Sequence, residues 1–170
     1  MNENKINILI VDDEELFLNS IKRRLEVRDF NVIAVNSGEK AIETARKNPI
    51  DIALVDLKMP GIDGEETLKV LKKKHKWMEV VILTGHGSID SAVECTKSGA
   101  YEYLQKPCKL DELLEVLKNA YQKSIMNKKD IDAIKMREII SLSLVESPLG
   151  ILRRLKEIDK GDDKGDDKGD

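Results

Sequence analysis

Three carboxylates follow two short apolar segments of this sequence. Asp12 and Asp13 come directly after residues 6–11, and Asp56 comes directly after residues 50–55. Both segments are short and rich in β-branched residues, a pattern typical of strands buried on both faces of a parallel sheet. Side chains just past the carboxyl ends of such strands line a common crevice, so we expect the three carboxylates to converge.

Converging carboxylates repel one another strongly unless a cation lies among them. Ligation by oxygen alone suits Mg²⁺, which binds one or two protein carboxylates and keeps waters that a phosphate can displace. The sequence therefore predicts a Mg²⁺-dependent phosphoryl site. Two simpler interpretations stay open: Asp12 and Asp13 can cap the segment that follows them, and Asp56 can be an acidic turn residue.

The elements that must position these residues alternate between strand and helix. The predicted strands cover residues 6–11, 30–35, 50–55, 80–83 and 101–105, and the predicted helices cover residues 14–28, 37–48, 65–74, 88–97 and a segment from Leu110. Strict alternation predicts an α/β fold, with a doubly wound five-stranded parallel sheet and helices on both faces. The first helix is expected to bury an apolar stripe that includes Leu16 and Leu25. Neither nucleotide-binding glycine fingerprint occurs.

The composition favours a globular protein with a highly charged exterior. Hydrophobic residues make up 41% and charged residues 36%, and the net charge of -3 gives no general case for nucleic-acid binding. Cys95 and Cys108 fit no metal-binding or CxxC spacing and are interpreted as reduced. Because no secretory signal or long apolar run is present, we expect a cytoplasmic protein with no membrane partner.

Four motifs, each at a predicted strand end, make the sequence from about Ile6 to Tyr121 resemble a bacterial response-regulator receiver domain. They are Val11–Glu14, Val55–Gly64, Leu83–Gly87 and Ser98–Pro107. The residues around Thr84 and those of the last motif are most similar to the corresponding residues in receivers of the NtrC and FixJ kinds. The resemblance implies a flavodoxin-like fold and a two-component phosphorelay.

The resemblance also implies a role for each residue of the acidic crevice. Asp56 would accept a phosphoryl group from a sensor histidine kinase or a histidine phosphotransfer protein, forming an aspartyl phosphate. Asp13 would bind Mg²⁺ directly, together with Asp56 and the main-chain carbonyl of Lys58, and Asp12 would act mainly through bound water. Lys106, in a cis bond to the following proline, would contact a phosphoryl oxygen. Self-phosphorylation from a phosphodonor and autodephosphorylation would be the only reactions.

Thr84 and Tyr103 resemble the conformational switch of the family. A phosphoryl oxygen would attract the Thr84 hydroxyl, and the Tyr103 ring could then rotate inward. Tyr101, two residues away and expected on the same strand face, is the alternative ring. Lys58 and His86 either tune hydrolysis or are solvated loop residues.

The domain organisation predicted from these patterns has three parts. Residues 1–122 form the receiver, residues 123–158 a helical extension of unknown role, and residues 159–170 a disordered low-complexity tail. The helix from Leu110 can continue towards Ser141. A short helix over 149–158 would present an apolar stripe that docks on the receiver, pairs with a second copy in a homodimer, or fits a partner groove.

The sequence contains no recognised output domain, so the predicted function is a switch that acts on an unknown downstream protein. The main alternative is a DNA-binding transcriptional regulator with an unfamiliar output segment at residues 122–160, although a nucleic-acid partner is not favoured by the short segment. A third interpretation is an enzyme that hydrolyses an external phosphate ester with the three carboxylates.

Overall fold

A five-stranded parallel sheet organises the chain. The computed structural model describes the backbone of residues 5–143 and the side chains of residues 5–129, 133, 134 and 137. The strands are β1 (Asn7–Val11), β2 (Asn31–Val35), β3 (Ile52–Val55), β4 (Glu79–Thr84) and β5 (Glu102–Gln105). All neighbours pair in parallel in the order β2-β1-β3-β4-β5, which confirms the predicted sheet. The strand order reverses between β1 and β3, where ligands bind in open α/β sheets.

Five helices connect and follow the strands. They are α1 (Glu15–Glu26), α2 (Gly38–Lys47), α3 (Gly64–Lys74), α4 (Ile89–Lys97) and α5 (Leu110–Ser143). Ser37, Asp63 and Ser88 cap α2, α3 and α4 by accepting a backbone N–H three residues later. The predicted continuation of the last helix is confirmed by α5, whereas the predicted helix over 149–158 and the predicted tail lie outside the described residues.

Alternate strand residues pack into two cores on opposite faces of the sheet. One core joins Leu9 and Val11 of β1 to residues of α2, α3 and α4, including Ala41, Leu68 and Cys95. The other joins Ile8 and Ile10 to residues of α1 and α5, including Leu25 and Leu117. Helices on both faces confirm the doubly wound arrangement, and continuous burial of β3 explains why that strand is apolar throughout.

The apolar stripe predicted for α1 is wrong in one position. Leu16 is 88% exposed, and the buried residues are Leu18, Ile21 and Leu25. These three share one helical face by their spacing of three and four residues, whereas Leu16 lies off that face. Helical spacing and apolar character do not by themselves show which of two overlapping stripes packs on the sheet.

The chain divides into two units at Ile125. The described residues of the second unit belong to the later turns of α5, where Met126 is 66% and Ile134 is 53% exposed. Within the part of the chain that the structure describes, no helix is both long enough and apolar enough to cross a membrane. Cys95 and Cys108 are both free thiols, as predicted.

Candidate phosphoryl and metal site

The three carboxylates converge at the carboxyl edge of the sheet. Val11 and Val55 are direct partners in the β1–β3 register, so the residues that follow them, Asp12 and Asp56, leave the sheet side by side. Asp12, Asp13 and Asp56 each offer a ligand atom within 4.8 Å of the others. Asp12 and Asp56 are buried, whereas Asp13 is exposed. The crevice expected from the sequence is therefore present, with one open side.

Both carboxylate oxygens of Asp12 already have a hydrogen-bond partner. Its Oδ1 accepts the backbone N–H of Glu14 at 2.9 Å, and its Oδ2 accepts the ammonium of Lys106 at 2.5 Å. Burial raises the pKa of Asp12, and these two hydrogen bonds partly counteract that rise. Asp12 is thus engaged with protein groups, which agrees with a metal role through water.

Lys106 reaches the crevice from the end of β5. Its backbone N–H donates to the Thr84 carbonyl at 2.9 Å, and its peptide bond to Pro107 is cis. The ammonium lies 3.9 Å from the centre of the Phe17 ring and 3.5 Å from a Glu14 carboxylate oxygen. Burial alone lowers the pKa of Lys106, but the hydrogen bond and charge of Asp12, with Asp56 and Glu14, raise it above its ordinary value. The side chain is therefore a firmly charged cation at the crevice wall.

Asp56 contains the one unpartnered buried side-chain oxygen found in the described residues. Its Oδ1 is buried with no hydrogen-bond partner there, while its backbone N–H donates to the Val11 carbonyl at 2.9 Å. A buried carboxylate oxygen without a donor is costly unless a cation or ligand group completes it. The all-oxygen donor set suits Mg²⁺, so the residues present fit that ion.

The loop after Asp56 is packed at both ends. The Gly64 N–H donates to the Leu57 carbonyl at 2.8 Å, and a side chain at Gly64 would overlap the Asp56 carbonyl. Leu57 and Met59 are buried, so Lys58 between them is exposed at the crevice rim. This alternation places the Lys58 side chain outward, two residues after Asp56.

Thr84 and Tyr103 lie on adjacent strands next to the crevice. Thr84 is fully buried at the end of β4, and its hydroxyl accepts the His86 N–H at 3.2 Å. The Tyr103 hydroxyl lies 3.2 Å from the Ser91 hydroxyl of α4 and directly over Gly87, where a side chain would overlap it. The ring is therefore half-buried, with its hydroxyl held at the first turn of α4.

The expectation that Tyr101 shares a strand face with Tyr103 is wrong. Tyr101 packs with the α1 and α5 core, whereas Tyr103 packs with the α2, α3 and α4 core. Strand β5 begins at Glu102, so strand alternation does not extend to residue 101. Tyr101 instead lies beneath the Lys123 ammonium, 5.2 Å from its ring centre.

Three contributors to the site were missed from the sequence. Phe17 supports the Lys106 ammonium, Glu14 supplies its second carboxylate, and Ser91 holds the Tyr103 hydroxyl. Nothing in the local sequence distinguishes a ring such as Phe17, which lies under a cation, from a ring that only packs in the core. The serine pair at 88 and 91 was a recognisable capping signal for α4, but it does not reveal the tyrosine.

The fold and the crevice define a class of protein: a doubly wound α/β domain with an acidic cluster and a facing lysine at the switch point. The profile of the family "Response regulator receiver domain" matches residues 8–118. The chain belongs to the response-regulator receiver family of two-component signalling. Receiver domains bind Mg²⁺ at an acidic pocket and interact with sensor kinases, and the corresponding cluster is present here.

Named relatives agree with this assignment. The putative response regulator NtrX-like of Rickettsia bellii is 35% identical over 157 residues, covering 91% of this chain and 33% of the relative. The transcriptional regulatory protein ZraR of Escherichia coli K12 is 37% identical over 120 residues, covering 71% and 27%. The chain therefore spans about a third of the length of the curated relatives it matches.

A solved structure shows the same fold. A CheY-like receiver domain protein from Methanospirillum hungatei matches with a TM-score of 0.71 and 28% identity, covering 73% of this chain and 99% of that one. The similarity spans nearly all of that receiver and about three quarters of this chain.

Proposed function

We propose that Asp56 accepts a phosphoryl group from the phosphohistidine of a sensor kinase or phosphotransfer protein. The observation that carries this proposal is the buried Oδ1 of Asp56, which has no donor among the described residues and lies in the acidic cluster. An Asp56 oxygen would attack phosphorus, the P–N bond would break, and its electron pair would stay on the donor imidazole. Water would later cleave the acyl phosphate, regenerating Asp56 and releasing inorganic phosphate.

Asp13, Asp56 and the Lys58 carbonyl would hold Mg²⁺ at this site. The bound ion would neutralise charge on the phosphoryl oxygens during transfer. Lys106 would add its own positive charge after moving from Asp12 Oδ2 towards a phosphoryl oxygen, a step that its flexible side chain permits. Asp12 would remain anchored by the Glu14 amide and orient metal-bound water.

The switch would run from Thr84 to the surface of α4 and β5. A Thr84 hydroxyl drawn to the phosphoryl group would leave room for the Tyr103 ring to turn inward and release Ser91. Ile89 is 84% and Val93 45% exposed on α4, so this surface already presents apolar side chains to a downstream protein.

Labelling with acetyl phosphate and Mg²⁺ tests the acceptor. Wild-type protein should gain one phosphoryl group by mass, and Asp56→Asn should gain none. Asp51→Asn is the matched control, because Asp51 precedes the same strand at its other end and accepts the Asn7 N–H at 2.8 Å. Undiminished labelling of Asp56→Asn would refute the assignment. An adduct in the wild type would also exclude a two-metal hydrolase of external esters, which needs no such intermediate.

A second candidate is control of transcription by the whole protein. It is favoured by the similarity to ZraR, a transcriptional regulatory protein that is 37% identical over 71% of this chain. A mobility shift of phosphorylated protein with duplex DNA at low and high salt distinguishes the candidates. Binding that weakens steeply with salt supports a DNA contact. The absence of a shift at low salt supports the switch that acts on a downstream protein.

A further inference from the structure

We infer that Glu39, on helix α2, is a positioning residue that holds the loop after Asp56 in the shape needed for metal binding. This inference rests on the proposed function, because it assigns the Lys58 carbonyl to Mg²⁺. Glu39 lies 23 residues from its loop partner in sequence and belongs to none of the four receiver motifs. Its contact with the loop is nevertheless direct.

The carboxylate of Glu39 accepts the backbone N–H of Ile62 at 3.0 Å. A side chain on Gly61, whose φ is +78°, would meet the same carboxylate oxygen at 2.5 Å. The carboxylate therefore contacts two consecutive loop residues, Gly61 and Ile62. The Ile62 amide lowers the pKa of Glu39, so the side chain stays charged and a strong acceptor at neutral pH.

The backbone of α2 supports the same loop. A side chain on Gly38 would lie 2.8 Å from the Ile62 carbonyl and would overlap the Thr67 hydroxyl. Ser37 caps α2 at this end, accepting the Lys40 N–H at 3.3 Å. The first turn of α2 is thus capped and abuts the loop, which places the Glu39 carboxylate beside Ile62.

Beyond Met59, which packs in the core, the loop is supported by Glu39. Its two ends are fixed, by Asp56 in the sheet and by the Gly64 N–H that donates to Leu57. Lys58 and Gly61 between them are exposed. Glu39 holds this exposed stretch through Ile62, four residues after Lys58. Glu39 would act on the Lys58 carbonyl through the intervening backbone, and groups outside the ligand set of a metal typically affect affinity by fixing the direction of its ligands.

Three single variants of full-length protein test the inference. Glu39→Ala removes the acceptor, Glu39→Gln keeps an acceptor oxygen, and Glu43→Ala removes an exposed carboxylate of the same helix that pairs with Lys47. The rate of labelling by acetyl phosphate is measured against Mg²⁺ concentration. We expect Glu39→Ala to raise the half-saturating Mg²⁺ concentration about threefold to tenfold, with a smaller change in the rate at saturation. Glu39→Gln and Glu43→Ala should stay within about twofold of wild type.

Amide hydrogen exchange of metal-free protein measures the hydrogen bond between Ile62 and Glu39 without any phosphoryl chemistry. Ile62 should exchange about tenfold faster in Glu39→Ala than in wild type, with no change in the strands. Unchanged Ile62 exchange, or an unchanged half-saturating Mg²⁺ concentration in Glu39→Ala, overturns the inference. A Glu39→Gln variant as impaired as Glu39→Ala also overturns it. If wild type takes no label at all, the proposed function fails, while the exchange result still decides whether Glu39 holds the loop.

Discussion

The ammonium of Lys106 lies 2.5 Å from Oδ2 of Asp12, although 94 residues separate the two in sequence. This pair joins the end of β5 to the end of β1 across the acidic crevice. It neutralises the most buried carboxylate of the cluster and leaves Asp56 Oδ1 without a donor among the described residues. The arrangement suits a site in which Lys106 moves from Asp12 to an anion when that anion binds.

Lys106→Met should lower the free energy of unfolding of metal-free protein by about 3 kcal/mol at neutral pH. The reason is that Asp12, 1% exposed, would keep its charge without its cation. Denaturant titration with a chelator present measures the loss. Lys69→Met, which breaks an exposed pair with Glu65, is the control and should change stability little. Equal losses in both variants would contradict the importance assigned to burial.

The loss in Lys106→Met should depend on pH in a defined direction. Burial raises the pKa of Asp12 above its ordinary 3.8 in wild type, and the variant also lacks the Lys106 hydrogen bond and charge that lower this pKa, so its folded state binds the proton more tightly still. The added loss is absent below the ordinary value, grows as pH rises above it, and is complete above the raised pKa of the variant. The variant should therefore approach wild-type stability near pH 4 and diverge from it towards neutrality. A loss that is constant over this range would exclude the Asp12 explanation.

Asp13→Ala should abolish the stabilisation of the protein by Mg²⁺ while the metal-free fold survives. Removing one of three clustered carboxylates relieves repulsion, so metal-free stability should hold or rise. In wild type, Mg²⁺ at about a hundred times its dissociation constant should stabilise by about 2.7 kcal/mol. Thermal melts with and without Mg²⁺ make the comparison, and Asp90→Ala on α4 should keep the full shift. A normal Mg²⁺ shift in Asp13→Ala would refute the ligand role.

Gly87→Ala should push the Tyr103 ring off Ser91 without any phosphoryl group. A methyl group on Gly87 would overlap the Tyr103 hydroxyl, which sits at the free end of a side chain that can rotate away. We expect a loss of about 1 kcal/mol and a shift of the Tyr103 ring resonances in NMR spectra. Gly85→Ala is the matched control, because a methyl group there finds its nearest neighbour, Lys106 Cβ, at 3.9 Å. Identical Tyr103 resonances in both variants would show that the ring does not rest on Gly87.

The sequence predicted the sheet because its signals are local. Buried strands are continuous apolar runs, and the caps at Ser37 and Ser88 fall at helix starts where hydroxyl acceptors are favoured. It could not predict the partner of Lys106, because Asp12 and Asp56 are equivalent choices until the chain is folded. The rotation of α1 and the face of Tyr101 also depend on element boundaries, which a residue pattern fixes only to within a few positions.

Glu79 should depend on one of its two lysines far more than on the other. Its carboxylate, 1% exposed, accepts the Lys72 ammonium at 3.2 Å, and the Lys123 ammonium lies 3.8 Å away. Lys72 also donates to the Met78 carbonyl at 2.9 Å and is largely buried, whereas Lys123 is half exposed. Urea titration followed by Trp77 fluorescence should therefore show a loss of about 3 kcal/mol for Lys72→Met and under about 1 kcal/mol for Lys123→Met. Equal losses would show that α3 and α5 hold the buried carboxylate equally, and a larger loss for Lys123→Met would show that α5 holds it; either result contradicts the prediction.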